Sequence, residues 1–160
     1  MIRIAKLTDY AIVVLSYFAS DPQQPVHNAR DLADRAKVPL PTVSKILKAL
    51  ARGELLVSQR GVNGGYRLAR DPREISIADI IGAVEGPIAM TECSVSPAGL
   101  CDLESVCPVT ANWQKINRVV GEALRSLTLA DMAKPLPVQA AAARRGREPG
   151  RPAIAAGRLA

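Results

Sequence analysis

Between residues 54 and 69 the sequence ELLVSQRGVNGGYRLA abandons the helical spacing of everything before it. LLVSQ and YRLA are short strand-like runs, and the glycine-bearing segment between them reads as the turn of a hairpin. What precedes it is helical in three pieces. Leu7, Ala11, Val14, Leu15 and Phe18 share one face of a helix that ends near Asp21 and Pro22. Asn28 is placed to cap a second helix, whose Ala29, Leu32, Ala33 and Ala36 follow the i, i+3, i+4, i+7 pattern. A third starts near Pro41, a residue favoured at the first helical position, and carries the stripe Val43, Ile46, Leu47 and Leu50. The linker AKVPLP between the second and third helices has the length of a tight turn. Three helices followed by a hairpin is the order of a winged helix-turn-helix, so the expected fold class is mainly α with one small β-hairpin.

That order supplies a use for the basic residues. In a helix-turn-helix the second helix of the pair enters the major groove of duplex DNA. Opposite the apolar stripe of the third helix lie Pro41, Lys45, Lys48 and Arg52, flanked by Thr42 and Ser44. Ammonium, guanidinium and hydroxyl groups suit phosphates and base edges. Thr42, Ser44 and Lys45 are therefore the expected base readers, and Lys48, Arg60 and Arg67 the expected phosphate anchors. Asn63, Gly64 and Gly65 let the hairpin turn tightly and approach DNA without side-chain bulk, with Tyr66 completing the wing surface. A solvated basic helix beside an ordinary hairpin is the competing account of each feature taken alone; their order favours the wing.

Charge divides the chain in the same way. Residues 1–75 carry 12 Lys/Arg against 7 Asp/Glu, residues 76–133 carry 3 against 7, and residues 134–160 carry 6 against 1. A basic first part with an acidic middle suits a protein that meets a polyanion at one end. We read residues 1–75 as the DNA-binding region, 76–133 as a cysteine segment with a dimerisation helix, and 134–160 as a basic tail. The tail, rich in Ala, Arg, Pro and Gly, shows no sustained period and is expected not to fold. No apolar run approaches a membrane span, and MIRIAKLTDY lacks the apolar stretch of a signal peptide, so the expected location is the cytoplasm, with no membrane partner. No nucleophile–base pairing or phosphate-binding loop points to an enzyme or a small-molecule substrate.

Ser76, with Asp79 three residues on, has the form of a helix cap ahead of Ile77, Ile80, Ile81 and Val84. Pro108 is the expected start of a fifth helix, in which Val109, Trp113, Ile116, Val120, Ala123 and Leu127 are spaced 4-3-4-3-4 and Val119 and Leu124 widen the seam. A seam of this length suits a homodimer, with Trp113 in its core. His27, the only histidine, is expected at the surface or in the capping region of the second helix rather than as a ligand. The three cysteines fall within 15 residues as Cys93-x7-Cys101-x5-Cys107. Clustered thiols in a cytoplasmic chain point to metal or redox chemistry, and thiolates suit zinc or iron–sulfur clusters. The spacings are not the C-x2-C of a zinc ribbon, which favours a cluster.

The runs LTDYAIVVL, LPTVSKILKAL, VSQRGVNGGYRLAR, ISIADIIGAVEG and CPVTANWQ together resemble the Rrf2 family of winged-helix regulators, and they span residues 1–133 nearly end to end. The likeness is greatest to regulators of the Suf iron–sulfur assembly operon. It implies a homodimeric repressor that binds double-stranded operator DNA and senses cluster status through a [2Fe-2S] or [4Fe-4S] cluster. Cys93, Cys101 and Cys107 would be ligands. One branch of the family places a histidine three residues after the third cysteine, where this chain has Thr110; other members take an aspartate from the first helix of the opposite subunit, and Asp9 in LTDYA matches that position. Asp9 is equally a carboxylate suited to the first turn of a helix. Family members responding to nitric oxide or redox state are the alternative within the fold. A cysteine-based metal-binding interaction protein without operator discrimination is the alternative outside it.

Overall fold

The structure, a computed structural model, describes residues 3–21, 26–91, 94 and 106–134. Its elements run α1 (Lys6–Ser20), α2 (Ala29–Ala36), α3 (Leu40–Arg52), β1 (Leu56–Gln59), β2 (Gly65–Leu68), a 3₁₀ turn (Pro72–Glu74), α4 (Ile77–Glu85), α5 (Thr110–Ser126) and α6 (Leu129–Ala133). The core lies between α1, α2, α3 and α4 and is capped by Leu129 of α6; Val14, Leu15, Leu32, Val43, Ile46, Leu47, Leu50, Ile80 and Leu129 have no exposed surface.

Local chemistry sets each helix end. The Asn28 side chain accepts from the Asp31 N–H at 2.8 Å, satisfying one of the unpaired amides at the start of α2. The helix stops at Lys37, which takes a left-handed conformation (φ 56°, ψ 35°) and returns its own N–H to the chain. Pro39 then stands at the N-cap of α3 with Pro41 inside its first turn, where a missing N–H costs no helical bond. Ser76 and Asp79 form a reciprocal capping box at α4.

In three places the structure corrects the expected course of the chain. Helix α5 starts at Thr110, not at Pro108: Val109 (φ −110°, ψ 3°) lies outside helical geometry, and its carbonyl accepts from Asn112 and Trp113 at 3.0 Å. Leu127 is correspondingly the extended residue after α5 and not part of its seam (φ −97°, ψ 131°). A sixth helix follows, capped by a second box in which Thr128 and Asp131 repeat the roles of Ser76 and Asp79. The two caps pair as an antiparallel bridge, with Ile77 N–H donating to Leu127 O at 2.9 Å and Leu129 N–H to Ile75 O at 2.8 Å. The chain leaving α5 is thereby returned to α1, against which α6 packs.

The third correction is His27. It is buried with no exposed surface, its ring set edge-to-face on Phe18 with centroids 4.7 Å apart. Its backbone pairs with Tyr66 through two hydrogen bonds of 2.9 Å, which adds a third, one-residue strand to the hairpin. Of the tail 134–160, only Lys134 belongs to the described residues.

Among the described residues, no helix is long and apolar enough to cross a membrane.

Candidate nucleic-acid interface

Helix α3 buries Val43, Ile46, Leu47 and Leu50 and turns Pro41, Lys45, Lys48 and Arg52 outward, as the 3.6-residue period requires. Thr42 and Ser44 lie half-buried at the edge of that basic face. The hairpin stands beside it. Register pairs Leu56 with Leu68, Val57 with Arg67, Ser58 with Tyr66 and Gln59 with Gly65. Alternation along a strand puts Ser58 and Tyr66 on one face of the wing and Val57 and Arg67 on the other. Ser58 and Tyr66 face α3: a groove of about 510 Å³ runs between helix and wing, lined by Pro41, Ser44, Lys45, Lys48, Ala51, Arg52, Ser58 and Tyr66. Hydroxyls sit on both walls and cations along one.

Arg67 lines a separate cleft of about 250 Å³ behind the wing, with Phe18, Asp21, Leu68 and Arg70 among its walls. Arg60, Val62 and Asn63 stand exposed on the connection between the strands. The glycines of that connection have different duties from those expected. Gly61 takes the positive φ (116°), whereas Gly65 belongs to β2. A Cβ on Gly64 would lie 2.7 Å from Gln59 O, and one on Gly65 would lie 2.5 Å from His27 O. Both positions exclude a side chain because backbone passes against them.

Sequence reasoning missed Ser58, although its place two residues before Arg60 in an alternating strand, on the side opposite the apolar Val57, was a usable signal. It also missed Thr8, which is fully buried on the apolar face of α1 and donates its hydroxyl to the Glu85 carboxylate at the end of α4.

The proposed cluster ligands fall unevenly. Cys93 and Cys101 lie outside the described residues. Cys107 is half-buried just ahead of α5; hydrogen bonding from the Thr110 hydroxyl, and then from the Val109 backbone, pulls its thiol below the ordinary pKa. That favours the thiolate, which is the ligating form. Asp9 is exposed in the first turn of α1. Among the described residues no three His, Cys, Asp or Glu side chains converge on one point. The donor chemistry nonetheless fits a soft metal: a thiol held toward its anionic form, with two more cysteines in the preceding 14 residues.

The three-helix core, the basic helix and the adjoining wing define a winged helix-turn-helix DNA-binding protein. Residues 4–135 match the family model Rrf2, an iron-dependent transcriptional regulator, and the chain belongs to that family. A helix-turn-helix transcriptional regulator of Mycobacterium tuberculosis (strain H37Rv) is 35% identical over 134 residues, covering 82% of this chain and 81% of its own. Among solved structures, CymR, the global cysteine regulator of B. subtilis, is 26% identical with a TM-score of 0.64, covering 83% of this chain and 97% of its own. IscR of T. potens is 25% identical with a TM-score of 0.61, covering 93% and 94%. These relatives are transcriptional regulators, not enzymes.

Proposed function

We propose that the protein is a homodimeric operator-binding repressor that senses iron–sulfur status through a cluster on Cys93, Cys101 and Cys107 and controls Suf-type assembly genes. Thr42, Ser44 and Lys45 would read base edges, with Lys48, Arg60 and Arg67 holding phosphates and Asn63, Gly64, Gly65 and Tyr66 shaping the wing against the duplex. The observation that carries this reading is the groove between α3 and the wing, in which cationic and hydroxyl groups are presented together at the face of a rigid core.

The exposed apolar side of α5 supports the dimer. Trp113, Ile116 and Val119 are 37%, 44% and 58% exposed, and within the described helix only Gly121 is buried. Large apolar side chains in a row on an exposed helix are costly unless covered, and a second copy of the same helix covers them in register.

A cluster bound at the three thiolates would supply an iron- and oxidant-sensitive group at the head of α5. What the chain itself provides is a path from there to DNA. Asp9 of the partner subunit is the proposed fourth ligand, and within each subunit α1 packs against α3, α4 and α6. Displacement of α1 would therefore move the recognition helix. The lowered pKa of Cys107 also favours a second reading within the same fold, a thiol-redox regulator without a cluster.

Anaerobic purification with absorption and Mössbauer spectra, followed by operator binding with and without the cluster, separates the two. A protein that binds only zinc, or a Cys93→Ala/Cys101→Ala/Cys107→Ala variant that regulates normally, rules out the cluster. An unchanged cluster in Asp9→Ala rules out only the cross-subunit ligand. Loss of sequence preference as salt is raised would leave a metal-binding interaction protein.

A further inference from the structure

His27 has an odd combination of features. Its side chain has no exposed surface, and neither ring nitrogen has a hydrogen-bond partner among the described residues. A buried imidazole ordinarily donates through one nitrogen and accepts through the other. Here the ring is used as an apolar plate against Phe18, while its backbone grips Tyr66 through two 2.9 Å hydrogen bonds. Tyr66 is, with Ser58, one of the wing residues that line the groove facing α3. Gly65 is packed so closely beneath the bridge that a Cβ there would meet His27 O at 2.5 Å.

We propose that His27 is a positioning residue for DNA recognition: its neutral ring seats the wing against the core, and its protonation unseats the wing and weakens operator binding in mildly acidic conditions. The proposal rests on the operator-binding function above. A proton on this ring would be a buried charge with no acceptor among the described residues, and relief requires the ring to leave its place on Phe18, which strains the bridge to Tyr66. The surroundings oppose the charge on balance. Burial is the largest influence lowering the His27 pKa, with Arg35 of α2 adding to it; Asp21 after α1 and Asp31 of α2 pull the other way. From β2 the neighbouring titratable groups are the Tyr66 phenol and the Arg67 guanidinium. His27 is the only histidine in the chain, so replacing it removes the one imidazole that can titrate between pH 7 and 5.5.

The test uses the full-length protein and a duplex that it selects from a random DNA pool at pH 7.5, at fixed salt. The wild-type dissociation constant should be flat above pH 7 and rise by about tenfold by pH 5.5, within the limit of tenfold per pH unit for one proton. His27→Phe keeps a ring on Phe18 but cannot be protonated, and its profile should be flat. In parallel, the imidazole NMR signals of the wild type should titrate below about 6.5, the ordinary histidine value. The same pH slope in His27→Phe, or a wild-type imidazole titrating at or above that value, overturns the proposal. The imidazole measurement stands even where the variant fails to fold. Absence of any selected sequence at pH 7.5 would instead count against operator binding itself.

Discussion

Gly65 and Gly53 are small for steric reasons, since each lies where an added methyl would enter occupied space. Gly53 has an ordinary φ of −81°, but a Cβ there would stand 2.5 Å from that of Ala83 on α4. Gly53→Ala is expected to destabilise the protein by about 1–3 kcal/mol, the usual cost of overpacking, as read from the urea midpoint. Asp131 makes a different kind of prediction. Hydrogen bonds from Lys134 and then Thr128 lower its pKa to about 2. A carboxylate depressed in the folded state contributes stability above its unfolded pKa, near 3.9, and loses it as pH falls through the folded value. The melting-temperature gap between wild type and Asp131→Asn should therefore be constant above about pH 5 and narrow steadily toward pH 2. A gap independent of pH in that window would show that the cap acts without its charge.

At the scale of elements, the turn between α2 and α3 holds Lys37 in the left-handed region at φ 56°, a conformation that costs a β-carbon-bearing residue roughly 1 kcal/mol and glycine almost nothing. Lys37→Gly should consequently leave stability unchanged or raise it by up to about 1 kcal/mol in denaturant titrations, the unfolded-chain entropy of glycine offsetting part of the gain. Helix α3 presents Lys48 at the centre of its basic face. Lys48→Ala should weaken binding to all duplexes alike and make the plot of log K against log salt shallower by about 0.9 for each phosphate no longer neutralised. A weakening confined to one operator sequence would mean that Lys48 reads a base.

For the whole molecule, α5 connects the cysteine segment to the core at both ends. It packs on α4, and through the paired caps at Ser76 and Thr128 it is followed directly by α6 on α1. Its outer side is left apolar. In the proposed homodimer, Ile116→Glu/Val119→Glu should shift the sedimentation behaviour to that of a 17.0 kDa monomer and weaken operator binding severely, because one recognition helix then contacts one half-site. A double variant that remains a dimer would place the interface elsewhere.

Local interactions were legible in the sequence by itself. Periodicity located α1 to α4, the hairpin and the outward basic face of α3, since each depends on residues within a few positions of one another. Caps at Asn28 and Ser76 were equally visible, and the Thr128/Asp131 box could have been read by the same rule. Tertiary structure alone decided what arises between segments far apart. His27 carries no sequence signal of burial, because its partners Phe18 and Tyr66 come from a helix and a strand on either side of it. Thr8 breaks the apolar stripe of α1 only because Glu85, 77 positions away, accepts its hydroxyl proton. The face on which Arg67 stands, away from α3, followed from strand register, which pairs it with Val57 and no periodicity in β2 alone could reveal.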